Sequence, residues 1–371
     1  MDSCDVLIVG GGPAGSSCAW GLRNSGLDVA ILDKAAFPRD KVCGGWITPG
    51  VLSALEIQPE DYARQSVLQP ITAFRVGSIH GPAVETTYGH LVSYGILRRE
   101  FDDYLLTRSG ARILPPMSVG KLEFSRSRWI ANDQIEARAL VGAGGHFCPV
   151  ARLSGARPSP ESAVVAQEIE FEMGATQQAG CRVREDMPEL YFCADLQGYG
   201  WCFRKGSFLN IGLGRADPHR LPEHVADFLR FLRSAQRISF DIPSLHGHAY
   251  LLYGTSKRSI VGEAFLLVGD AAGLAAPYSG EGIRPAIESG LLSAKTIAAA
   301  NGQYNRQQLE SYRLQLFGRR QPRWRSWTTN IGRCIPSRSI APLARFLLGT
   351  HWFVRDVVLK QCFLAPGASS S

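Results

Sequence analysis

Glycines near the amino end of the chain have a spacing that suits phosphate binding. The segment Gly10–Gly15 has the sequence GGGPAG, and it lies between a short apolar run, Asp5–Val9, and a helix-like stretch, Ser16–Ser25. In such a turn the first glycine permits a tight bend, the second lets a pyrophosphate approach the backbone, and the third lets the helix pack against the strand. The amides and dipole of the helix then favour an anionic group.

An acidic residue follows at the distance expected for a dinucleotide site. Asp33 closes a second apolar run, Leu27–Leu32, where a carboxylate can accept hydrogen bonds from a ribose hydroxyl. The order strand, glycine turn, helix and strand is a βαβ unit, which predicts a buried parallel sheet. The alternative is a glycine-rich turn that holds no ligand. We therefore predict an α/β fold with a Rossmann-like dinucleotide-binding domain.

A second glycine-rich corner lies far along the chain. The apolar strand Phe265–Gly269 ends at Asp270, whose position at a strand's carboxyl end suits a hydrogen bond to a ribityl hydroxyl. Gly280 and Gly282 would let backbone amides approach a flavin ring, and a helix begins just after them. A helix amino terminus there would stabilise the negative charge of reduced flavin. The alternative is an ordinary strand–loop–helix capped by Ser279.

These two corners together resemble a known family. Gly10–Gly15 and Gly269–Ile283 are similar to the FAD-dependent oxidoreductases related to para-hydroxybenzoate hydroxylase. The segment Phe37–Gly45, FPRDKVCGG, resembles the geranylgeranyl reductase branch of that family. So does Tyr199–Phe203, YGWCF, which is followed by the strand Phe208–Gly214. The resemblance extends over most of the chain before its carboxyl-terminal segment.

The resemblance implies FAD as cofactor and assigns roles to several residues. Arg98 matches an arginine that contacts the cofactor at a helix start, and Cys43 would lie near the flavin ring, where its thiol could donate a proton, form an adduct or merely pack. The expected FAD-binding residues are Gly10, Gly12, Pro13, Ala14, Gly15, Asp33, Lys34, Arg39, Cys43, Gly44, Gly45, Arg98, Gly269, Asp270, Gly280, Gly282 and Ile283. The expected catalytic residues are Cys43, Tyr199 and Trp201.

Two departures from the family pattern bear on the ligands. The chain has Ala143–Gly145, AGG, where the family has Ala-Asp-Gly, so any contact from that carboxylate to cofactor or nicotinamide is lost. Arg204 stands where the family's aromatic motif ends in proline. A cation there argues against a purely isoprenoid ligand and favours an anionic group on a substrate or partner.

Strand-like segments between the two corners predict a second, mainly antiparallel sheet. Tyr199, Trp201 and Phe203 would line a pocket from alternate positions of one strand, although an aromatic stripe is more often core. Trp46, beside the CGG loop, could cover the ring. We expect an FAD-binding domain from residues 1–75, 95–160 and 255–300, a mixed β-sheet substrate domain from 76–94 and 161–254, and a C-terminal helical basic segment from 301–371.

Composition excludes several other classes. The chain has 371 residues, a net charge of +7 and nine cysteines without metal-binding spacing. We expect free thiols in a reducing compartment, no nucleic-acid partner and no metal, because His246 and His248 would need acids or thiols beside them. We find no signal peptide and no apolar run of the ~18–20 residues that span a bilayer. The expected location is cytoplasmic, with contact to a membrane surface left open.

The basic carboxyl-terminal segment allows three interpretations. Between Arg306 and Lys360 cations far outnumber acids, and four arginines surround Trp324 and Trp327. The segment could be an interfacial helix pair on a membrane, a lid over the substrate domain, or a docking site for an acidic redox or peptide partner.

Three functions remain open at this stage. The first is a reductase that delivers hydride from flavin N5 to a carbon–carbon double bond of an isoprenoid or similar apolar substrate, with NAD(P)H or a small redox carrier as electron donor. The second is a monooxygenase acting through a C4a-hydroperoxide on an aromatic small molecule or a peptide side chain. The third is a flavin-loaded redox sensor or assembly factor without catalysis.

Overall fold

A computed structural model describes residues 1–158, 161, 163–318 and 346–364. The chain forms two compact units. Unit 1 comprises Met1–Asp40, Arg99–Ala163 and Tyr250–Gln321, and unit 2 comprises Lys41–Arg98, Val164–Ala249 and Pro322–Ser371.

Strands outnumber helices in the described residues, and several strands follow one another without a helix between them. The strands are β1 (Asp2–Val9), β2 (Val29–Leu32), β3 (Trp46–Ile47), β4 (Leu68–Ile71), β5 (Ala73–Ser78), β6 (Ala83–Thr87), β7 (Ser93–Ile96), β8 (Arg112–Ile113), β9 (Leu122–Ser125), β10 (Arg128–Ala131), β11 (Ile135–Gly142), β12 (Val164–Glu172), β13 (Glu189–Phe192), β14 (Gly198–Lys205), β15 (Phe208–Arg215), β16 (His246–Tyr250), β17 (Val261–Gly262) and β18 (Phe265–Leu267). The helices are α1 (Pro13–Leu22), α2 (Pro49–Ala54), α3 (Pro59–Ala63), α4 (Arg98–Thr107), α5 (Pro149–Leu153), α6 (Ala175–Ala179), α7 (Leu221–Ser234), α8 (Ile283–Ala299), α9 (Arg306–Gly318) and the helical segment α10 (Phe353–Phe363).

Unit 1 is built on a sheet whose described part has eight strands. Its main order is β17-β18-β11-β1-β2-β8, and β1 runs parallel to both β11 and β2. Val6–Val9 and Val29–Leu32 are apolar on both faces and fully covered, which is why they take central positions. Helices α1 and α8 pack so closely that a Cβ on Gly290 would lie 2.3 Å from the Ala14 carbonyl oxygen. The predicted α/β fold with a parallel sheet is confirmed.

Unit 2 is built on a sheet whose described part has seven strands in the order β16-β12-β15-β14-β13-β5-β6. Most neighbours are antiparallel, as predicted, but β13 and β5 run parallel. One face packs on α7, where Phe228 and Phe231 are buried. The other face carries aromatic residues and packs on α10 through Val358 and Leu359. A small sheet of β3, β7 and β4 lies in the same unit.

The units divide the chain differently from the expected domain boundaries. Residues 41–75 belong to unit 2, because β5 starts at Ala73 and joins the larger sheet while β3 and β4 pair with β7. The start of the basic segment belongs to unit 1, where the buried Tyr312 hydroxyl donates to the Leu267 carbonyl oxygen at 2.9 Å. Trp324, Trp327 and the arginines around them lie outside the described residues.

Candidate active site

The first glycine corner is a turn that only glycine can form. Gly10 has φ of +114°, and a Cβ there would lie 2.4 Å from the Ala143 carbonyl oxygen. A Cβ on Gly15 would lie 1.9 Å from the Gly10 carbonyl oxygen. Gly12 precedes α1, and no side chain caps the helix. The first amides of α1 therefore keep their hydrogen-bonding capacity for a ligand.

Asp33 holds this corner in place. One carboxylate oxygen accepts a hydrogen bond from the Gly11 amide at 2.8 Å, and the other accepts one from the Ala35 amide at 3.0 Å. Each carboxylate oxygen can accept a second bond, so the expected ribose contact stays a prediction. Lys34, next to it, is exposed.

Arg39, in the segment Phe37–Gly45, places a cation beside the glycine turn. The Arg39 guanidinium lies 3.4 Å from the fully buried carboxylate of Asp102. A Cβ on Gly12 would lie only 3.3 Å from the Arg39 guanidinium. The Phe37 ring packs beneath Arg39 and approaches Gly11. A positive charge therefore stands at the amino end of α1, where a pyrophosphate is expected.

The second glycine corner meets the first one inside unit 1. Gly269 has φ of +58°, and a Cβ there would lie 3.0 Å from the Ala14 Cβ. The Gly269 amide donates to the Ser289 hydroxyl at 2.9 Å. The Asp270 carboxylate would lie 3.2 Å from a Cβ on Gly282. Two segments that lie far apart in the sequence thus form one surface.

The amino end of α8 is also open to a ligand. Gly282 precedes the helix without a capping side chain, and the buried Ile283 begins it. Gly280 has φ of +67°, and a Cβ there would lie 2.4 Å from the Tyr250 hydroxyl. Together the two corners offer unhindered amides, two uncapped helix ends, an acid and an arginine. These residues fit a dinucleotide such as FAD.

Arg258 supports the second corner, and the sequence analysis did not identify it. Its fully buried guanidinium binds both carboxylate oxygens of Glu161 at 2.6 and 2.7 Å. It also donates to the Ala271 and His146 carbonyl oxygens, both at 2.9 Å. The bond from Arg258 holds the pKa of Glu161 below its usual value. No local sequence pattern marks this arginine, because its partners come from distant segments.

In unit 2 the CGG loop is fixed against β14 and β15. Gly45 has φ of +63°, and its amide donates to the Cys43 sulfur at 3.5 Å. A Cβ on Gly44 would lie 3.3 Å from the Phe203 ring. Asn210 donates its side-chain amide to the Cys43 carbonyl oxygen at 3.0 Å. The catalytic role expected for Cys43 stays a prediction.

The aromatic residues expected to line a pocket share one face of the sheet. Tyr199, Trp201 and Phe203 alternate along β14, and Trp201 donates its indole N–H to the Asn210 side-chain oxygen at 2.7 Å. Trp46 packs edge-on against Phe203, with ring centroids 5.9 Å apart. Trp201 and Phe203 are buried in the cluster that α10 joins, so these rings serve as core as well as candidate pocket walls.

Arg204 does not face the aromatic residues, contrary to the expectation that its charge stands at that corner of the pocket. Strand alternation places it on the opposite face from Phe203 and Lys205. There it lies 3.2 Å from the Glu185 carboxylate and donates to the Gly206 carbonyl oxygen at 3.0 Å. Its charge is therefore engaged away from the candidate pocket.

The aromatic face also carries carboxylates that the sequence analysis missed. Glu168 and Glu170 are on β12, and burial raises the pKa of Glu168 to about 8. Glu170 forms an ion pair with the buried Lys205 at 2.5 Å. Acids at alternate positions of a strand-like segment were the available signal. Arg98, expected to contact the cofactor, is buried at the start of α4.

The remaining candidates form no metal centre in the described residues. His248 lies 3.3 Å from the Lys41 amine, and no group of three or more His, Cys, Asp or Glu side chains converges within the described ranges. Across the same parts of the chain, no helix is both long and apolar enough to cross a bilayer.

Comparison with known sequences connects this geometry to flavoenzymes. Residues 5–103 match a family model described as FAD dependent oxidoreductase. The menaquinone reductase of Mycobacterium tuberculosis is 29% identical over 323 residues, which cover 80% of this chain and 77% of that protein. The digeranylgeranylglycerophospholipid reductase of Methanocaldococcus jannaschii is 25% identical over 318 residues, which cover 81% of this chain and 78% of that protein.

Solved structures show the same fold. A geranylgeranyl bacteriochlorophyll reductase-like protein from Thermoplasma acidophilum superposes with a TM-score of 0.79 at 21% identity, covering 98% of this chain and 97% of that one. The flavin-dependent brominase Bmp2 superposes with a TM-score of 0.71 at 18% identity, covering 97% of this chain and 94% of that one.

Proposed function

We propose that this chain is an FAD-dependent oxidoreductase that reduces carbon–carbon double bonds of an apolar, prenyl-type substrate; the match of residues 5–103 to an FAD dependent oxidoreductase model, the reductase relatives and the shared fold support it. One observation supports the substrate class above the others. The CGG loop of unit 2 lies on a continuous aromatic face that includes Trp201, Phe203 and Trp46. Such a face favours an apolar chain over a charged substrate.

Within this proposal the two units have separate tasks. The glycine corners of unit 1 bind FAD through backbone amides, and Arg39 balances the charge of its pyrophosphate. FAD supplies the hydride when it is bound and reduced. The aromatic face of unit 2 binds and orients the apolar substrate and excludes water from it. The electron donor is NAD(P)H or a small redox carrier.

The relatives support this substrate class. Two of them are named for the reduction of a menaquinone and of a digeranylgeranyl lipid. Because such substrates reside in membranes, we also propose that the protein is cytoplasmic and touches an anionic membrane surface through the basic segment from Arg306 to Lys360. Sedimentation with vesicles of anionic lipid, and not with neutral ones, is the expected result; equal sedimentation with both would contradict it.

An anaerobic turnover assay tests the proposed reaction. The FAD-loaded protein is reduced with dithionite, NADH or NADPH in separate reactions, then mixed with menaquinone or with a digeranylgeranyl phospholipid. We expect flavin reoxidation without O₂ and a product heavier by two hydrogens for each bond reduced. The reductant that sustains repeated turnover is then assigned as the electron donor of the protein.

The alternative function is a monooxygenase. The fold that the chain shares with a flavin-dependent brominase is compatible with this alternative. Turnover that requires O₂ and inserts oxygen into the product would establish the alternative and remove the reductase proposal. Because Arg204 forms an ion pair with Glu185, it gives no support to an anionic substrate at the end of β14.

A further inference from the structure

Four polar side-chain atoms on the aromatic face of unit 2 are buried without a hydrogen-bond partner among the described residues. They are Trp46 Nε1, Thr86 Oγ1, Tyr88 OH and Ser93 Oγ. Thr86 is only 6% exposed, and Ser93 is fully covered. Buried polar groups in folded proteins nearly always have a hydrogen-bond partner, so each exception calls for an explanation. Because these four atoms belong to one region, a single explanation should serve all of them.

Strand register places the two aliphatic hydroxyls on the same face as the aromatic rings. Thr86 on β6 is the register partner of Phe74 on β5, and Phe74 belongs to the buried apolar cluster of this face. Ser93 on β7 lies opposite Ile71 on β4, which belongs to the same cluster. Directly opposite residues point to one side of a sheet. Both hydroxyls therefore point into the cluster.

Aromatic rings connect the other two atoms to this region. Trp46 lies opposite Gly95, which is two residues after Ser93 and on the same face of β7. The centroid of the Trp46 ring lies 5.1 Å from that of Phe74, and the Phe74 ring lies edge-on to Tyr88 with centroids 6.3 Å apart. A single phenyl ring therefore separates the indole of Trp46 from the phenol of Tyr88.

All four atoms can donate a hydrogen bond. An indole N–H only donates, and a hydroxyl donates or accepts. Burial raises the pKa of the Tyr88 phenol, so this group keeps its proton. A ligand made only of hydrocarbon would leave every donor without a partner, which is unfavourable in a buried site. An apolar ligand that carries carbonyl oxygens would supply the acceptors that the protein lacks here.

Helix α10 covers this region with an aromatic ring. Phe363 is only 6% exposed, and its ring stacks on the Trp46 indole with centroids 5.4 Å apart and planes 9° apart. The same ring lies edge-on to Tyr199, with centroids 5.6 Å apart. A flat ring therefore fits against Trp46, and the phenyl ring that lies there offers no acceptor to the buried donors.

The winding of α10 suits a segment whose end can withdraw. It is a π-helix, in which an amide donates to the carbonyl oxygen five residues earlier, as Leu364 does to Leu359 at 2.7 Å. Such helices are rare and frequently occur at functional sites. Phe363 is the last residue of α10, so unwinding of the final turn would release its ring. Val354 and Val358, both buried in the cluster, would keep the rest of α10 on the sheet.

We propose that unit 2 holds a binding site for a flat, apolar ring that carries carbonyl oxygens, such as a quinone, and that this ring replaces Phe363 on the Trp46 indole. The indole N–H of Trp46 and the hydroxyl of Tyr88 donate to the carbonyl oxygens, with Ser93 and Thr86 as further donors. The claim that the ring belongs to the substrate rests on the proposed function. It narrows the substrate class to apolar molecules with a carbonyl-bearing ring.

The first measurement is binding to the FAD-loaded, oxidised protein, which requires no turnover. The probe is a naphthoquinone methylated at both free quinone carbons, so that it does not alkylate thiols. The control is the dimethylnaphthalene of the same shape, which has no carbonyl groups. We expect isothermal titration calorimetry to give the quinone a Kd about tenfold or more below that of the hydrocarbon, because only the quinone pairs with the buried donors. Equal affinities would overturn the proposal.

Conservative variants locate the ring within the protein. Trp46→Phe and Tyr88→Phe each remove one donor and keep an aromatic side chain. We expect each to reduce the preference for the quinone over the hydrocarbon by about fivefold or more. The control is Tyr304→Phe, which removes a buried hydroxyl of unit 1 that also lacks a partner among the described residues, and it should leave the preference unchanged. An undiminished preference in both unit 2 variants would contradict the inference.

Phe363 tests the replacement of one ring by the other. Phe363→Ala removes the competing phenyl ring, so the quinone should bind about threefold or more tightly than it binds the wild type. Should this variant fail to fold, Phe363→Leu serves instead, because it keeps an apolar side chain and removes the stacked ring. Unchanged or weaker binding in the folded variant would make Phe363 a fixed part of the core and overturn the proposal.

The outcomes separate this binding site from the function proposed above. If the protein reduces menaquinone anaerobically, but Trp46→Phe and Tyr88→Phe bind the naphthoquinone as the wild type does, the inference falls and the reductase function stands. If those variants lose the preference while neither menaquinone nor the digeranylgeranyl phospholipid is reduced with any donor, the binding site stands and the proposed function falls.

Discussion

The two units of this protein build their candidate sites by different means. Unit 1 binds through its backbone, with glycines at 10, 15, 269 and 280 in positions where a Cβ would collide or the φ angle is positive. Unit 2 presents side chains, and those of Glu168, Trp201 and Asn210 come from three adjacent strands. A backbone site tolerates few substitutions but is visible in local sequence. A side-chain site can change its ligand by substitution, and it can be recognised only in the folded structure, because its residues come from distant segments.

Removing Arg258 tests how far the backbone site depends on buried side chains. We expect Arg258→Ala to lower the free energy of unfolding by about 3 kcal/mol, because the buried Ala271 and His146 carbonyl oxygens would lose their donor and Glu161 would keep only its ion pair with Arg157. Chemical denaturation is the measurement. Arg184→Ala, which breaks the largely exposed pair with Asp186, is the control and should cost about 0–1 kcal/mol. Equal losses in both variants would mean that Arg258 does not brace the corner.

The pH dependence of stability tests the side-chain site. Folding raises the pKa of Glu168 to about 8, so the folded state holds a proton that the unfolded state has released. The free energy of unfolding should therefore be highest below the unfolded value and fall by a few kcal/mol as pH rises from about 4.5 to 8. Glu168→Gln should flatten this fall. Parallel curves for the two proteins would show that Glu168 ionises normally.

A side chain on Gly12 should damage the backbone site without unfolding unit 1. Gly12 has an extended φ of −73°, but a longer side chain would displace the Arg39 guanidinium and cover the helix amides. We expect Gly12→Leu to weaken FAD binding roughly tenfold or more, since a lost charge-assisted bond costs about 1.5–3 kcal/mol. Flavin absorbance of the purified protein is the measurement. Gly247→Ala, where a Cβ meets nothing within 4 Å, should remain yellow.

Replacing Cys43 separates chemistry from cofactor retention. Cys43→Ala keeps the backbone bond from Asn210 to the residue 43 carbonyl oxygen, so FAD content should not change. Turnover of the prenyl probe should fall by about 100-fold, the low end for a lost proton-transfer group. A fully active variant would leave Cys43 with a packing role only.

The smallest effect is expected at Arg204. Because its partner Glu185 is half exposed and the pair lies on the α7 side of the sheet, Arg204→Ala should cost about 0–1 kcal/mol of stability and leave KM unchanged. A large rise in KM would instead indicate that Arg204 contacts the substrate.

The sequence predicts unit 1 better than unit 2, for a physical reason. The GGGPAG turn and the strand that ends at Asp270 are local patterns, so their elements and their approach to each other were expected. The face of β14 that Arg204 occupies depends on strand register, and the pairing of Glu168 with Gly212 depends on contacts between distant segments. Neither Arg258 nor Glu168 has a local signature, because burial and partner choice arise only from packing.

The amide of Asn210 gives unit 2 a directional constraint. Its oxygen accepts from the Trp201 indole, while its nitrogen donates to the Cys43 carbonyl and lies 3.3 Å from the Glu170 carboxylate. Aspartate at this position would turn an acceptor toward two other acceptors, and leucine would satisfy none of the three groups. Neither the loop nor the indole can therefore change its orientation alone, since one planar group with a donor end and an acceptor end fixes both.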